Sequence, residues 1–451
     1  MQDIAAATDP QPGPADPGAR TGSRTTTVAG GCVDEREPAK LTQADLNIDD
    51  KSRSNPLTWK GQFSPQLVEA HLKVYAKQGA RILDPFAGSG TVLLEALRHG
   101  VSSIGTEINP AAVTLARLYA ASGTELGRRG EVLRRLDIAI GSLARRSGGG
   151  GSLFPGDGSE PGQALIELLA KHPRPCLEGD LLEALVVASD LYQKPDWKKV
   201  QARWTEIRSL VQSLPEALEP PRIYLADARA LPVADGSVDL VMTSPPYINV
   251  FNYHQQYRAS VEAIGWSVLP IARSEIGSNR KFRGNRLITV AQYCLDMTLC
   301  LLEARRTLTR DGRAIFVVGR ESNVRKTAFF NAKILAALAT SCAEFDLVLQ
   351  QERVFLNRFG ASIYEDILHL RPRPVGRPAT ADALGRARVI ASSVLEEARG
   401  RVSEKDVLAD LADAIEKTAS VEPSPLVDLE GQPEALARRH APTWTSERVS
   451  A

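Results

Sequence analysis

The stretch Arg81-Ile82-Leu83-Asp84-Pro85-Phe86-Ala87-Gly88-Ser89-Gly90-Thr91 decides the fold. Arg81-Ile82-Leu83 reads as a short buried strand, which runs directly into a loop holding two glycines. Val92 to Arg98 then has the apolar spacing of a helix, ended by Gly100, and Val101 to Thr106 reads as a second strand. A β-loop-α-β unit of this kind opens a mostly parallel α/β sheet. Glycines at 88 and 90 let the backbone turn tightly and approach a ligand with no Cβ in the way. The helix start offers unpaired N–H groups to an anionic group. A P-loop is excluded because no Gly-Lys-Ser/Thr follows, and Leu93 stands where a dinucleotide fingerprint needs its third glycine.

Working outward, Glu107 ends the second strand, 23 residues after Asp84, where a carboxylate can accept both hydroxyls of a ribose. A later strand, Ile223-Tyr224-Leu225, ends in Ala226-Asp227, which places Asp227 to accept from an adenine amino group. The strand Val238 to Met242 feeds Thr243-Ser244-Pro245-Pro246-Tyr247. Two prolines fix φ and hold a carbonyl in one direction. Tyr247 offers a ring on which a base can stack, an interaction of roughly 1–3 kcal/mol per base.

Asp84-Pro-Phe-Ala-Gly-Ser-Gly followed by Ser244-Pro-Pro-Tyr resembles the S-adenosylmethionine-dependent DNA amino-methyltransferases, the cytosine-N4 and adenine-N6 modification methylases. The resemblance covers roughly residues 59–372 and includes Lys60 to Pro65, Ile248 to His254 and Ser274 to Arg280. It implies a Rossmann-like class I methyltransferase fold: a mostly parallel seven-stranded sheet ending in an antiparallel hairpin, here with a helical insertion. It implies S-adenosylmethionine bound by Phe63, Asp84, Phe86, Gly88, Gly90, Thr91, Glu107 and Asp227. It implies a catalytic loop of Ser244, Pro245, Pro246 and Tyr247, with the Ser244 side chain and Pro245 carbonyl as acceptors around an exocyclic amine. Ser at the first loop position is typical of cytosine-N4 methylation and Asp or Asn of adenine-N6 methylation. A tRNA guanine-N2 enzyme is the alternative on RNA. Phe251 and Tyr253 are candidate walls of a base pocket. No metal is implied, since the sulfonium already activates the methyl group.

A chain of 451 residues, 43% hydrophobic and 24% charged, has room for more than one domain and the composition of a soluble protein. No apolar run reaches the length of a membrane span, and the N-terminus lacks a signal-peptide core, so a cytoplasmic protein is expected. The cysteines Cys32, Cys176, Cys294, Cys300 and Cys342 are scattered and read as free thiols. Net charge is +1, but residues 270–330 hold twelve Lys/Arg against five acids, a local +7 that suits nucleic-acid phosphates.

Residues 1–54 read as a disordered tail, 55–372 as the catalytic domain and 373–451 as a helical or irregular extension. Within the catalytic domain, residues 110–220 form a helical insertion with a glycine-rich joint over Gly148 to Gly162. Helices are expected over Gln66–Lys77, Tyr293–Leu308 and Thr327–Cys342. A turn is expected at Arg310-Asp311-Gly312, and a hairpin joins Leu347–Leu356 to Ser362–Leu370.

Overall fold

The computed structural model describes residues 37–48, 52–146, 160–172, 175–248, 252–278, 282–357, 360–402 and 404–429. All of them belong to one unit, residues 33–451. The strands are β1 (Arg81–Asp84), β2 (Ser102–Glu107), β3 (Arg222–Leu225), β4 (Val238–Thr243), β5 (Leu308–Gly319), β6 (Glu321–Val324), β7 (Thr327–Phe330), β8 (Phe345–Leu356) and β9 (Ser362–Pro372). Seven of them form one sheet in the order β3-β2-β1-β4-β5-β9-β8. The first five of these run parallel, and β9 pairs antiparallel with both β5 and β8. This is the expected seven-stranded class I methyltransferase topology.

The strand order reverses between β1 and β4, and β1 pairs with both β2 and β4. A crevice opens at such a switch point, outside the carboxyl ends of the strands. The two key loops leave the sheet there, one from β1 and one from β4.

One face of the sheet is covered by α1 (Gln43–Asn47), α2 (Pro65–Tyr75) and α3 (Thr91–His99), with Leu67, Val68 and Leu72 buried on Ile82, Met242, Ile315 and Val317. The insertion holds α4 (Pro110–Arg117), α5 (Leu126–Arg146), α6 (Pro161–Leu169), α7 (Leu177–Ala188) and α8 (Trp197–Ser213), packed around their own apolar cluster. Its joint at 147–159 lies outside the described residues, and Pro161-Gly162 opens α6. Two short helices, α9 (Arg258–Ala263) and α10 (Val268–Ala272), follow the second key loop. The opposite face of the sheet carries α11 (Ile288–Thr307), α12 (Asn331–Cys342), α13 (Thr380–Arg399) and α14 (Lys405–Lys417). No helix among the described residues is long and apolar enough to cross a membrane.

Three sequence expectations need correction. Residues 37–48 are folded rather than tail: Thr42 and Asp45 form a reciprocal capping box, Leu41 and Leu46 are buried, and Glu37 bonds to Arg313 and Arg371. Residues 310–312 are not a turn, because β5 begins at Leu308 and absorbs them through a register shift against β4. Thr327 to Phe330 is strand β7, paired with β6, so α12 begins only at Asn331. The C-terminal segment carries α13 and α14, which pack into the core. Ala383, Ala387, Ala391, Leu395 and Ala398 form a buried stripe on α13, small enough to let the helix approach its neighbours closely.

Candidate active site

The loop after β1 is built on two left-handed glycines, with φ of +51° at Gly88 and +84° at Gly90. A Cβ on Gly90 would lie 2.7 Å from the Tyr119 ring, and one on Gly88 would lie 3.1 Å from Trp59 Cδ1. Both glycines are therefore required by φ and by space. Gly90 caps α3 without a side-chain bond, leaving the first turn of that helix open toward the loop.

Asp84, at the end of β1, is buried and accepts from Thr243 Oγ1 at 2.6 Å and from the Phe86 N–H at 3.1 Å. The Thr243 bond ties the end of β1 to the last residue before Ser244, so the two loops hold a fixed spacing. Burial pushes the Asp84 carboxyl up to about 7, against the lowering effect of these hydrogen bonds. Glu107, at the end of β2, accepts from the Gly88 N–H at 3.0 Å and the Asn109 N–H at 2.9 Å. Burial also raises its carboxyl to about 7, with the nearby Glu275 contributing in the same direction.

These loops surround a cavity of about 860 Å³, part of it open to solvent. It is lined by Phe63, Asp84, Phe86, Gly88, Thr91, Glu107 and Asp227, and on the β4 side by Ser244 and Pro246. Gly90 shapes the loop from behind, and Pro245 is buried. The Tyr247 ring lies against Gly319, where a Cβ would come within 3.0 Å of it, and its hydroxyl sits 3.3 Å from Ser244 Oγ. Burial raises the phenol, so Tyr247 is neutral. Gly277, with φ +71°, backs this loop closely: a Cβ there would strike the Tyr247 carbonyl at 2.7 Å.

Sequence reasoning missed part of the wall. Gln62 donates to Leu57 O at 2.7 Å and Ser89 Oγ at 2.6 Å, Asn55 donates to Phe63 O at 2.8 Å, and Thr91 Oγ1 donates to Asn55 Oδ1 at 2.8 Å. These bonds lay residues 55–63 over the glycine loop. Trp59 stacks on Tyr253 with centroids 6.5 Å apart and leans on Tyr257. Tyr253 is thus a cavity wall, while Phe251 lies outside the described residues. The only sequence signal for Trp59 was its place at the start of the family resemblance, residues 59–372.

Asp227 lines the cavity, but its carboxylate is fully engaged. Oδ1 accepts from Arg229 N (3.0 Å) and Nε (2.9 Å), and Oδ2 from Arg229 Nη2 (2.7 Å) and Val427 N (3.1 Å). Arg229 is fully buried and also donates to Asp296, Ser424 O and Pro425 O, so the segment after α14 is tied to this end of the cavity.

The basic stretch is largely consumed by structure. Arg305 donates to the backbone carbonyls of Arg373 and Val375, and Arg306 pairs with Glu303 and Asp235. Arg313 pairs with Glu37, Arg320 with Glu352 and Asp366, Arg325 with Asp406 and Asp410, and Lys326 with Glu404. Arg280 and Lys281 lie outside the described residues. Arg273, Arg283, Arg286 and Arg310 are exposed and make no ion pair among the described residues. Arg273 precedes the cavity-lining Ser274, Glu275 and Ile276 directly in the chain.

The fold is a Rossmann-like, mostly parallel seven-stranded sheet with its cavity at the switch point. Residues 35–118 match the family model described as DNA methylase (N6_N4_Mtase). A 52-residue stretch is 50% identical to the Type II methyltransferase M.MjaII of Methanocaldococcus jannaschii, covering 12% of this chain and 10% of that protein. The chain spans about a tenth of the length of that relative. Among solved structures, it is similar to a SAM-dependent methyltransferase from Methanosarcina mazei (13% identity, TM-score 0.31, covering 67% of this chain and 96% of the other). It is also similar to the rRNA methyltransferase aviRa from Streptomyces viridochromogenes (13% identity, TM-score 0.28, covering 77% and 96%).

The cavity fits S-adenosylmethionine on its own chemistry. Asp84, Glu107 and Glu275 supply acceptors for a cationic, hydroxyl-rich ligand, and Glu107 lines the cavity at the end of β2, where a ribose is held in doubly wound folds.

Proposed function

We propose that this protein is an S-adenosylmethionine-dependent DNA methyltransferase that methylates the exocyclic amine of cytosine at N4. When bound, S-adenosylmethionine supplies a methyl group on a sulfonium, already activated for transfer. The observation that carries the reading is that Ser244 and Pro246 open into the same cavity as Asp84 and Glu107, with Asp84 and Thr243 locking the two loops together.

The protein's task is then positioning and electrostatics. An exocyclic amine on a pyrimidine is a poor nucleophile because its lone pair is delocalised into the ring. Ser244 Oγ and the Pro245 carbonyl accept from its two hydrogens and favour a tetrahedral nitrogen. For that, Ser244 must exchange its 3.3 Å contact with the Tyr247 hydroxyl for the amine. Tyr247 provides the stacking surface, while Gly319 leaves room for its ring. The target base leaves the duplex at a cost of a few kcal/mol, about the usual figure for base flipping. Arg273, Arg283 and Arg286 are the phosphate contacts, since they are exposed, make no ion pair among the described residues and follow the Ser244 loop in the chain.

The test is nucleoside mass spectrometry after incubation with S-adenosylmethionine and unmethylated DNA or bulk tRNA. 4-Methyldeoxycytidine is the expected product. 6-Methyldeoxyadenosine keeps the mechanism but overturns the base, and a product in tRNA alone overturns the DNA assignment.

A further inference from the structure

We propose that Glu275, held by His254, is the acceptor for the exocyclic amino group of the cofactor's nucleobase, in place of Asp227. The inference rests on the reading of the cavity as a nucleoside-sulfonium site and assigns one of its contacts.

It begins with a count of acceptor sites. A carboxylate offers about four lone-pair positions. Asp227 uses all four on Arg229 and Val427, as described above. An amino group approaching it would have to displace one of these buried bonds.

Glu275 lines the same cavity, is 6% exposed, and has half its capacity open. Oε1 accepts the His254 backbone N–H at 2.7 Å, and Oε2 accepts Nδ1–H of the same residue at 2.7 Å. Each oxygen keeps one lone pair. Two short bonds from one residue fix the carboxylate plane, which suits directional recognition. His254 is 1% exposed and its Nε2 makes no hydrogen bond, so the polar contacts of the ring are confined to Glu275.

Glu275 lies near Glu107, and its chain neighbour also brings it to the Asp227 side of the cavity. Ser274, next in the chain, accepts from Arg229 Nη2 at 3.2 Å, which sets Glu275 beside the Asp227–Arg229 pair beyond β3. Glu107 occupies the ribose position beyond β2. Gly277 closes the loop against the Tyr247 carbonyl, so Ser274 to Gly277 spans from the nucleobase end of the cavity to the catalytic loop.

The test measures binding and needs no turnover. Titration calorimetry on the full chain compares S-adenosylhomocysteine with its deaminated analogue, S-inosylhomocysteine, which carries a carbonyl in place of the amino group. The wild-type protein is expected to prefer the adenosyl compound by at least about tenfold, the scale of one hydrogen bond to a charged acceptor. In Glu275→Gln, whose amide can turn its NH2 to the carbonyl, the ratio should fall below about threefold. His254→Leu should lower the ratio as well, and His254→Asn, which keeps a donor, should restore part of it. An unchanged ratio in Glu275→Gln overturns the proposal. So does a ratio that collapses in Asp227→Asn but survives in Glu275→Gln, which returns the role to Asp227. If Glu275→Gln does not fold, an unchanged ratio in His254→Leu overturns it. A wild-type protein that binds neither compound overturns the cofactor reading itself, a different failure from a wild type that binds both equally.

Discussion

Replacing Gly88 by Val should abolish cofactor binding while leaving a folded, less stable protein. At φ +51°, an L-residue costs roughly 1–2 kcal/mol in the left-handed region. The new Cβ would meet Trp59 Cδ1 at 3.1 Å and Nε1 at 3.2 Å before the two methyl groups are counted. Trp59 cannot simply retreat, because it stacks on Tyr253 and is 8% exposed. Overpacking of this kind costs about 1–3 kcal/mol, and with the backbone strain the loop is destabilised by about 2–5 kcal/mol. The Gly88 N–H also holds Glu107 at 3.0 Å, so relaxation of the loop displaces the ribose carboxylate. Titration calorimetry with S-adenosylhomocysteine should show at least about a hundredfold loss of affinity, corresponding to about 2.7 kcal/mol. Gly88→Ala, with the same φ and a smaller side chain, should fall between. A Gly88→Val protein that binds within threefold of wild type refutes both the placement of the cavity and the role given to the glycine.

Tyr247→Ala should lose most methyl transfer to DNA with near-normal affinity for S-adenosylhomocysteine, because the ring lies outside the cofactor cavity; a collapse of cofactor binding counts against the assignment. Asp84 carries a carboxyl raised to about 7 against an ordinary value of 3.8. The folded state therefore keeps a proton that the unfolded chain has released, and stability falls as pH rises from about 4 to about 7. The ligand-free melting temperature should decline across that window, and Asp84→Asn should make the decline shallower, with Glu107, raised to about 7 as well, supplying the remainder. Arg229→Ala leaves Asp227 and Asp296 buried without their partner, a loss of about 3–5 kcal/mol, readable as a lower denaturant midpoint. Replacing Arg273, Arg283 and Arg286 together by Gln should weaken DNA binding and reduce the steepness of its salt dependence by about three phosphate contacts. An unchanged slope places the DNA elsewhere.

Periodicity and turn chemistry were enough to read the strand-loop-helix unit around Gly88, the helix over α2, the two strands that carry Asp227 and Ser244, and the hairpin of β8 and β9. Each is set by neighbours a few residues apart. The two loops were legible because glycine and proline have few reasons to occur in those patterns. The β6–β7 hairpin was not legible, because Thr327 to Phe330 has an apolar pattern that also suits the first turn of a helix. Only pairing with Glu321 to Val324 decides between them.

Charge was read least well. Twelve basic residues in one stretch suggested a surface, yet their partners lie far away in sequence, such as Glu37 for Arg313 and Asp406 for Arg325. Asp227 was placed correctly at the end of its strand, but its use was decided by Val427, 200 residues later. Local sequence by itself determined the class of fold, the cavity's two loops and the chemistry those loops offer, since backbone freedom and residue type are local properties. Which carboxylates face the cavity with acceptor capacity to spare, and which arginines remain unpaired, only the tertiary structure decided. Ion pairs and buried hydrogen bonds are contacts between distant segments, and no window of sequence contains both partners.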